Sequence, residues 1–356
     1  MGLKPTSGQI HSLNIGLMVL SAAMAFTYPF ELFLSAYAIL GPLHYLTEIS
    51  WLHDRNYLTK GKYDHWFLLA AGLAITLLAL GAVQGAPPRT GELLTFLAFA
   101  ASFLFLFQGN VLVRLGILLL AGLAAVFLFP AAWMGAIFGL FLPTLIHVFL
   151  FTGLFILVGA LRERSFPGIL SLLVFLAIGM GFYFFHPEHA QYRVPDYVRE
   201  NYGYWKGDGS GSGLFITLNY FLVTAFGIHD FGQPTQPLSE YLAIINSFLY
   251  HNPAALALMS FIAFAYTYHY LNWFSKTSII RWHEVSKGRT LTILLAWLAS
   301  LILYGLNYKL GFQWLFFLSF AHVLLEFPLN HLTFLNIAKE LKKIIMVYQN
   351  QVLVSY

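Results

Sequence analysis

The sequence predicts an all-α fold, a polytopic transmembrane helical bundle of about ten spans. Hydrophobic residues make up 59% of the chain and charged residues only 10%, whereas a soluble domain has roughly 45–50% and 25%. Apolar runs long enough to cross a bilayer as a helix, about 20 residues each, recur along the whole chain. Together these two observations predict a single integral membrane domain over residues 1–356.

The first apolar run, residues 13–52, is about twice as long as one span and must fold back on itself. The stretch YPFE at 28–31 is the only plausible turn within it. This predicts spans at 13–28 and 32–52. The start lacks a small-residue cleavage site, so we interpret it as the first span and not as a cleaved signal peptide.

Eight further apolar segments follow, and loops with Gly, Pro or charged residues separate most of them. They are residues 66–83, 93–107, 112–129, 133–161, 169–185, 254–274, 290–306 and 314–335. The loop 186–213 contains the flexible run GDGSGSG and is predicted to form an outer cap. Residues 214–251 contain two shorter apolar stretches around HDFGQPTQP, and three arrangements are open: a hairpin that crosses, a re-entrant segment, or a surface segment.

The distribution of Lys and Arg predicts that both termini are cytoplasmic. With the N-terminus inside, only Arg89, Arg193, Arg199, Lys206 and Lys309 fall outside, and the other fourteen of the 19 basic residues fall inside. Short cytoplasmic loops retain such positive charge. The net charge of +4 is thus explained by topology, and we expect no nucleic-acid partner.

Four histidines are predicted at similar depth in four different spans, between the middle of the bilayer and its inner leaflet. They are His44, His147, His269 and His322. The first and last belong to a repeated pattern, His-x3-Glu-x4-His, in HYLTEISWLH and HVLLEFPLNH. Positions four apart lie on one helix face, so Glu48 and Glu326 are expected one turn deeper, below His44 and His322.

Ionisable groups inside a bilayer are costly and usually mark a functional site. Four histidines and two glutamates at one level predict a buried metal site, because imidazole and carboxylate are ligands for iron, zinc and copper. Two other interpretations are open, a proton or ion pathway and purely structural polar packing. The absence of cysteine excludes thiolate ligands.

The third position of the repeat adds two further candidate ligands, His53 and His331. Nine residues place each of them on the helix face opposite its partner. A bend at Pro328 would bring His331 back toward the site. Without such a bend, both are expected near the inner membrane interface.

A metal at this depth, among helices rich in Phe and Tyr, would meet a lipid-soluble substrate. The predominance of histidine and the lack of an obvious water-accessible acid–base pair favour non-haem iron and oxygen chemistry. Zinc is the alternative metal, and it would indicate a lipid hydrolase. The sequence thus predicts a metal-dependent membrane oxidoreductase and does not identify protein partners.

The stretch GPLHYLTE, residues 41–48, resembles the Gly-x-Pro-His-Gly-x-x-Asp element of the Brp/Blh family of bacterial membrane β-carotene dioxygenases. The resemblance implies a multi-helix protein that cleaves a carotenoid with iron held by intramembrane histidines. It also implies that His44 is an iron ligand and that Glu48 stands where the family has Asp. By the same likeness we expect the inner, cytoplasmic membrane of a bacterium. The later pair of histidines four residues apart that this family has is absent here.

Two other function classes are open. A di-iron lipid desaturase or hydroxylase would use four His and two Glu, although the histidine boxes of those enzymes do not occur in this chain. A proton-coupled transporter would use the two His–Glu pairs in symmetric halves. Bound metal distinguishes these enzymes from the transporter.

Overall fold

The structure is a computed structural model, and it describes residues 6–184, 192–203 and 214–354. Every regular element within these ranges is helical. In chain order the α-helices are α1 (Ser7–Thr27), α2 (Pro29–His53), α3 (Asp64–Ala79), α4 (Thr90–Leu104), α5 (Val111–Leu128), α6 (Ala131–Met134), α7 (Thr152–Glu163), α8 (Phe166–Phe184), α9 (Asp196–Tyr202), α10 (Leu214–Ala225), α11 (Leu238–His251), α12 (Pro253–Ser275), α13 (Thr277–Ile280), α14 (Lys287–Leu306) and α15 (Tyr308–Val354).

Two further segments are wound differently. Gly135–Phe151 is a π-helix that joins α6 to α7, so that Ala131–Glu163 forms one continuous helix. Asn56–Leu58 is a single 3₁₀ turn after α2.

Eight helices of the described chain are long and apolar enough to cross a membrane: α1, α2, α5, the continuous Ala131–Glu163 helix, α8, α12, α14 and α15. They correspond to eight of the ten predicted spans. The other two, α3 and α4, have 16 and 15 residues and are shorter than the roughly 20 that a span needs. In the segment 214–251, α10 and α11 have 12 and 14 residues.

The outer surface of the bundle is apolar, as in a protein whose solvent is lipid. Leu119 and Leu120 of α5 are 65% and 68% exposed, and Leu295 of α14 is 57% exposed. Large exposed leucines in such number would be unfavourable in water. The long apolar helices and this exterior together indicate a membrane protein.

The chain reverses between α1 and α2 at the predicted position. Tyr28 ends α1 with a non-helical backbone (φ −135°, ψ 64°), and Pro29 is the first residue of α2. Proline suits this position because its missing N–H would have no intrahelical partner there. The prediction of a turn in the YPFE stretch is confirmed.

The core of the bundle is formed by α2 and α12, which pack against each other and against α1 and α15. On one side, α3 and α4 pack against α15. Gly72 of α3 permits close approach, since a Cβ there would lie 3.4 Å from Leu324 of α15. The arrangement brings α2, the π-helix, α12 and α15 together at one level in the protein interior.

Residues 186–191 and 204–213 of the predicted outer cap lie outside the described residues. Between them, α9 packs against the start of α2, with the Tyr202 ring 4.8 Å from Phe30 and 5.6 Å from Phe33. This part of the loop therefore covers the end of α2 that lies far from Glu48.

Candidate metal centre

Four imidazole rings from four helical segments meet in a closed ring at the centre of the bundle. Centroids of neighbouring rings are 4.7 Å apart for His44 and His269, 4.9 Å for His269 and His147, 5.0 Å for His147 and His322, and 5.5 Å for His322 and His44. None of the four is more than 6% exposed. The structure thus brings together all four histidines whose depths were predicted to match.

The ring nitrogens approach each other in two pairs. Nε2 of His44 lies 3.1 Å from Nε2 of His269, and Nε2 of His322 lies 3.2 Å from Nε2 of His147. Two nitrogens bound at about 2.0–2.1 Å to one ion lie roughly 2.9–3.4 Å apart when the bond angle is between 90° and 109°. The observed separations therefore match neighbouring ligands of a metal.

The two glutamates belong to the same cluster and are 1–2% exposed. Oε2 of Glu48 lies 3.1 Å from Nε2 of His44, one turn earlier in α2, as predicted. Oε2 of Glu326 lies 3.2 Å from Nδ1 of His147, which is in the π-helix. Glu326 lies one helical turn beyond His322 in α15, and its short contact is with a residue of a different helix. The two carboxyl groups also interact with each other.

Several buried donor and acceptor atoms of the cluster have no hydrogen-bond partner. They include Oε2 of Glu48, Oε2 of Glu326, Nδ1 of His147 and Nδ1 of His44. The His–Glu contacts are short, but their angles are not those of hydrogen bonds. Buried polar atoms are nearly always paired, and a cation held by the cluster would pair the two carboxylate oxygens. Two sets of three, His44, His147 and His269, and His44, Glu48 and His322, each bring ligand atoms within 4.8 Å of one another. The buried His/Glu groups could therefore hold a metal ion.

Side chains and backbone around the cluster orient the rings. Oγ1 of Thr152 lies 2.8 Å from Nδ1 of His269, and the carbonyl of Leu318 accepts from Nδ1 of His322 at 3.3 Å. A ligating histidine usually donates its other ring N–H to a group of this kind, which fixes the tautomer and the ring plane. In His322 the free ring nitrogen is thus Nε2, the atom that points into the cluster, and Nε2 of His269 also points into the cluster.

Aromatic rings close one side of the cluster. The Tyr45 ring stacks on His322 with centroids 4.1 Å apart, and its hydroxyl lies 2.8 Å from that of Tyr270. Gly41 makes room for this pair, because a Cβ there would lie 3.1 Å from the Tyr45 hydroxyl. These contacts hold the His322 ring in place.

The π-helix explains how one helix supplies both a candidate ligand and a supporting group. In a π-helix, residues five apart are hydrogen-bonded and lie one above the other. His147 and Thr152 are five residues apart at its end, and both face the cluster. Such π segments are rare and occur often at functional sites.

We predict that Thr152→Val weakens metal binding about 10- to 100-fold, the range found when the partner of a ligating histidine is removed. Valine keeps the shape of threonine but cannot pair with Nδ1 of His269. The measurement is a competitive titration against a chelating dye. Thr152→Ser, which keeps the hydroxyl, is the control and should bind as the wild type does. Equal affinity in all three proteins would contradict a role for Thr152 in orienting His269.

The remaining two candidate ligands lie outside the cluster. The His53 side chain is 63% exposed and lies 3.5 Å from Asp54. Nε2 of His331 donates to the carbonyl of Phe99 at 2.9 Å. The helix α15 continues through Pro328, and the structure does not bring His331 to the other histidines.

Two cavities reach the cluster from opposite ends, and they share no lining residue. The smaller, which we call the tyrosine chamber, has a volume of about 40 Å³, is lined by Tyr37, Tyr45, Tyr266 and Tyr270 and reaches His147 and His322. It is large enough for a few waters or a diatomic gas. The larger, which we call the Lys276 cavity, has a volume of about 300 Å³ and reaches the other two histidines and both glutamates. The cluster therefore forms a wall between the two cavities.

The supporting residues could not be identified from the sequence. Thr152 is one polar residue in an apolar segment, and a threonine there is more often bonded to the backbone of its own helix. Tyr270 belongs to the stretch YTYHYLNWFSK around His269, whose tyrosines the sequence offers as hydrogen-bonding neighbours of the site, but nothing in the sequence pairs Tyr270 with Tyr45. The π winding, which aligns Thr152 with His147, has no signal in the sequence that we could use.

Comparisons with protein-family models, with curated proteins and with solved structures give no match to this chain. The resemblance of residues 41–48 to the Brp/Blh family therefore stays a prediction from the sequence.

Proposed function

We propose that the protein is a membrane-embedded non-haem iron oxygenase that acts on a lipid-soluble, unsaturated substrate, with oxidative carotenoid cleavage as one such reaction. The observation that carries the proposal is the ring of four imidazoles with two carboxylates at 3.1–3.2 Å from ring nitrogens, inside apolar helices. Imidazole and carboxylate together are the ligands of non-haem iron oxygenases. We place the protein in the cytoplasmic membrane of a bacterium, with both termini inside.

The number of donors favours iron over zinc. Zinc in proteins is almost always four-coordinate, whereas the cluster offers four nitrogens and two carboxyl groups. Six donors suit one six-coordinate ion or two ions. Two groups of three donors lie within 4.8 Å of one another, one of His44, His147 and His269 and one of His44, Glu48 and His322, and they share His44.

When bound, iron would supply the activation of dioxygen. Cleavage of one C=C bond by O₂ gives two C=O groups, so the atoms and electrons balance without an external reductant. The residues of this chain would orient the imidazoles, exclude water from the buried cluster and admit a small molecule through the tyrosine chamber. The larger Lys276 cavity would admit the lipid.

A di-iron desaturase or hydroxylase is the second candidate, and the presence of two buried carboxyl groups beside four imidazoles favours it. Desaturation or hydroxylation consumes two further electrons, which a separate electron donor would have to supply. The isotope experiment below separates the two candidates.

The experiment that tests the function is incubation of iron-loaded protein under ¹⁸O₂ with β-carotene or with unsaturated fatty acyl lipid. The products are reduced at once, so that aldehyde oxygen does not exchange with water, and are analysed by mass spectrometry. We expect ¹⁸O in both cleavage products, and none with His44→Ala. A new double bond without label would assign a desaturase, and a single labelled hydroxyl would assign a hydroxylase.

Two other results would overturn the oxygenase proposal. Stoichiometric zinc, with label entering only from H₂¹⁸O, would assign a lipid hydrolase. A wild type that binds no metal, and whose His and Glu residues control proton-coupled uptake in vesicles, would assign a transporter.

A further inference from the structure

Part of the wall of the Lys276 cavity has no role in the metal centre. The cavity extends from Glu48, Glu326 and His269 to two basic side chains, Lys276 and Arg162. Both basic residues lie at C-terminal helix ends, Lys276 directly after α12 and Arg162 in the last turn of α7. The cavity therefore opens at the end of the bundle that the distribution of basic residues predicts to be cytoplasmic.

Neither basic side chain has an acidic partner among the residues that the structure describes. Among the described residues, four basic side chains form ion pairs with Asp or Glu, including Arg114 with Asp64 at 3.1 Å and Arg289 with Asp54 at 2.6 Å. Lys276 and Arg162 form no such pair there, although the charges of Glu163 and Glu340 act on Lys276 and Arg162, respectively. Two cations without a close counterion at the mouth of one cavity favour an anion there.

The acidic residue that influences Lys276 is engaged elsewhere. Oε2 of Glu163 accepts hydrogen bonds from Ser7 and Ser165 and lies 2.8 Å from Nε2 of His11. Burial lowers the pKa of Lys276 to about 8, and the Glu163 charge acts in the opposite direction. An ammonium group that is partly removed from water and lacks a close counterion would be stabilised by a bound anion.

A solvated lysine at a helix end is the simpler interpretation, since the carbonyls of the last turn attract a cation. The position of Lys276 does not fit it well. The side chain is half-buried and lines the wall of a cavity of about 300 Å³. The rest of that wall is largely apolar and aromatic, with Trp51, Phe155, Trp273 and Leu329. A purely ionic ligand would leave this apolar surface without a partner.

We propose that the Lys276 cavity binds a single-chain anionic amphiphile, with its carboxylate or phosphate head on Lys276 and Arg162 and its apolar chain directed toward the metal centre. Lys276 lies seven residues beyond His269, about 10 Å along the helix. The head therefore binds at the mouth of the cavity, and a carbon several bonds along the chain meets the cluster. The binding site is inferred from the cavity and its basic residues alone. The assignment of the bound amphiphile as a substrate rests on the oxygenase function proposed above.

The test is the binding of a nitroxide-labelled stearic acid to the full-length protein in phosphatidylcholine nanodiscs, measured by electron paramagnetic resonance. The methyl ester of the same probe has the chain without the charge. We expect the acid to bind more tightly than the ester, and Lys276→Gln to weaken binding of the acid about tenfold, as expected for the loss of a charge-assisted hydrogen bond. Arg162→Gln should have a smaller effect, because this side chain is exposed.

The matched control is Lys287→Gln, which removes an exposed lysine that does not line the cavity. Lys276→Arg should keep most of the affinity, which shows that the charge matters and that the site still folds. Equal binding of acid and ester, or equal effects of Lys276→Gln and Lys287→Gln, would overturn the proposal.

Competition identifies the head group. Displacement of the probe by palmitate assigns a carboxylate, and displacement by lysophosphatidic acid alone assigns a phosphate. Displacement by neither contradicts the proposal. The same titration with chelator-treated wild type separates this site from the metal centre, because the acid should bind whether or not metal is present.

Discussion

Purified wild-type protein is expected to contain one or two equivalents of metal, and His44→Ala and His322→Ala are each expected to contain almost none. Each substitution removes a nitrogen that lies 3.1–3.2 Å from another ring nitrogen of the cluster. Removal of the hydrogen-bond partner of a ligating histidine lowers metal affinity about 10–100-fold, so removal of the ligand itself should lower it further. Elemental analysis by mass spectrometry, with the protein concentration determined independently, measures this directly.

The chain supplies matched controls for both substitutions. His53 follows His44 by nine residues in α2, and His331 follows His322 by nine residues in α15. His53 is exposed to solvent, and His331 donates to a backbone carbonyl. His53→Ala and His331→Ala should therefore keep the metal of the wild type. Equal metal loss in all four variants would indicate that unfolding, and not loss of a ligand, releases the metal.

The same measurement decides between the two metals. Iron supports the oxygenase proposal, and one equivalent or two distinguishes a single ion from a pair. Zinc at one equivalent favours a hydrolase. Carefully purified wild type without metal, together with folded variants, would contradict the metal centre itself.

The depth of the four histidines could be predicted from the sequence because a helix has a fixed rise per residue. Once the apolar runs were divided into spans, each histidine had a definite height, and His44 and His322 matched His147 and His269. Ionisable residues are also conspicuous in such surroundings, because there are few other polar groups. The location of the candidate site was therefore accessible without any knowledge of the fold.

The partner of Glu326 could not be predicted in this way. The periodicity of one helix shows which residues share a face, and on that basis Glu326 belonged below His322. Its short contact with His147 depends on the rotation of α15 against the π-helix, which is set by side-chain packing between the two. The i, i+4 rule applies to His322 and Glu326 as it does to His44 and Glu48, but it gives the helix face that two residues share and not the partner that each contacts.

The lengths of the third and fourth predicted spans show a related limit. Hydropathy identified residues 66–83 and 93–107 as apolar, and both regions are helical. The helices α3 and α4 are nevertheless shorter than a full crossing needs, since their apolar surface packs against α15 and against each other. Hydropathy alone does not distinguish an apolar helix that faces lipid from one that faces protein.

Removal of the metal is expected to lower the apparent unfolding temperature of the wild type by about 5 °C or more. A ligand present at 1,000 times its dissociation constant stabilises the folded state by about 4 kcal/mol, and in a chain of this size each kcal/mol corresponds to about 2 °C. The structure gives the physical reason. Without metal, Glu48 and Glu326 each keep a buried carboxylate oxygen that has no hydrogen-bond partner, at a cost of about 1–3 kcal/mol each.

Thermal unfolding in detergent, followed by circular dichroism with and without a chelator, checks this expectation. His44→Ala serves as the reference: it should already unfold at a lower temperature, and the chelator should not lower it further. If the chelator strips the metal from the wild type without changing its unfolding temperature, the metal is bound at the surface, and the unpaired buried atoms are satisfied in another way. A cluster that is stable without a cation would then act through proton exchange between its carboxyl and imidazole groups, which is the chemistry of a transporter and not of an oxygenase.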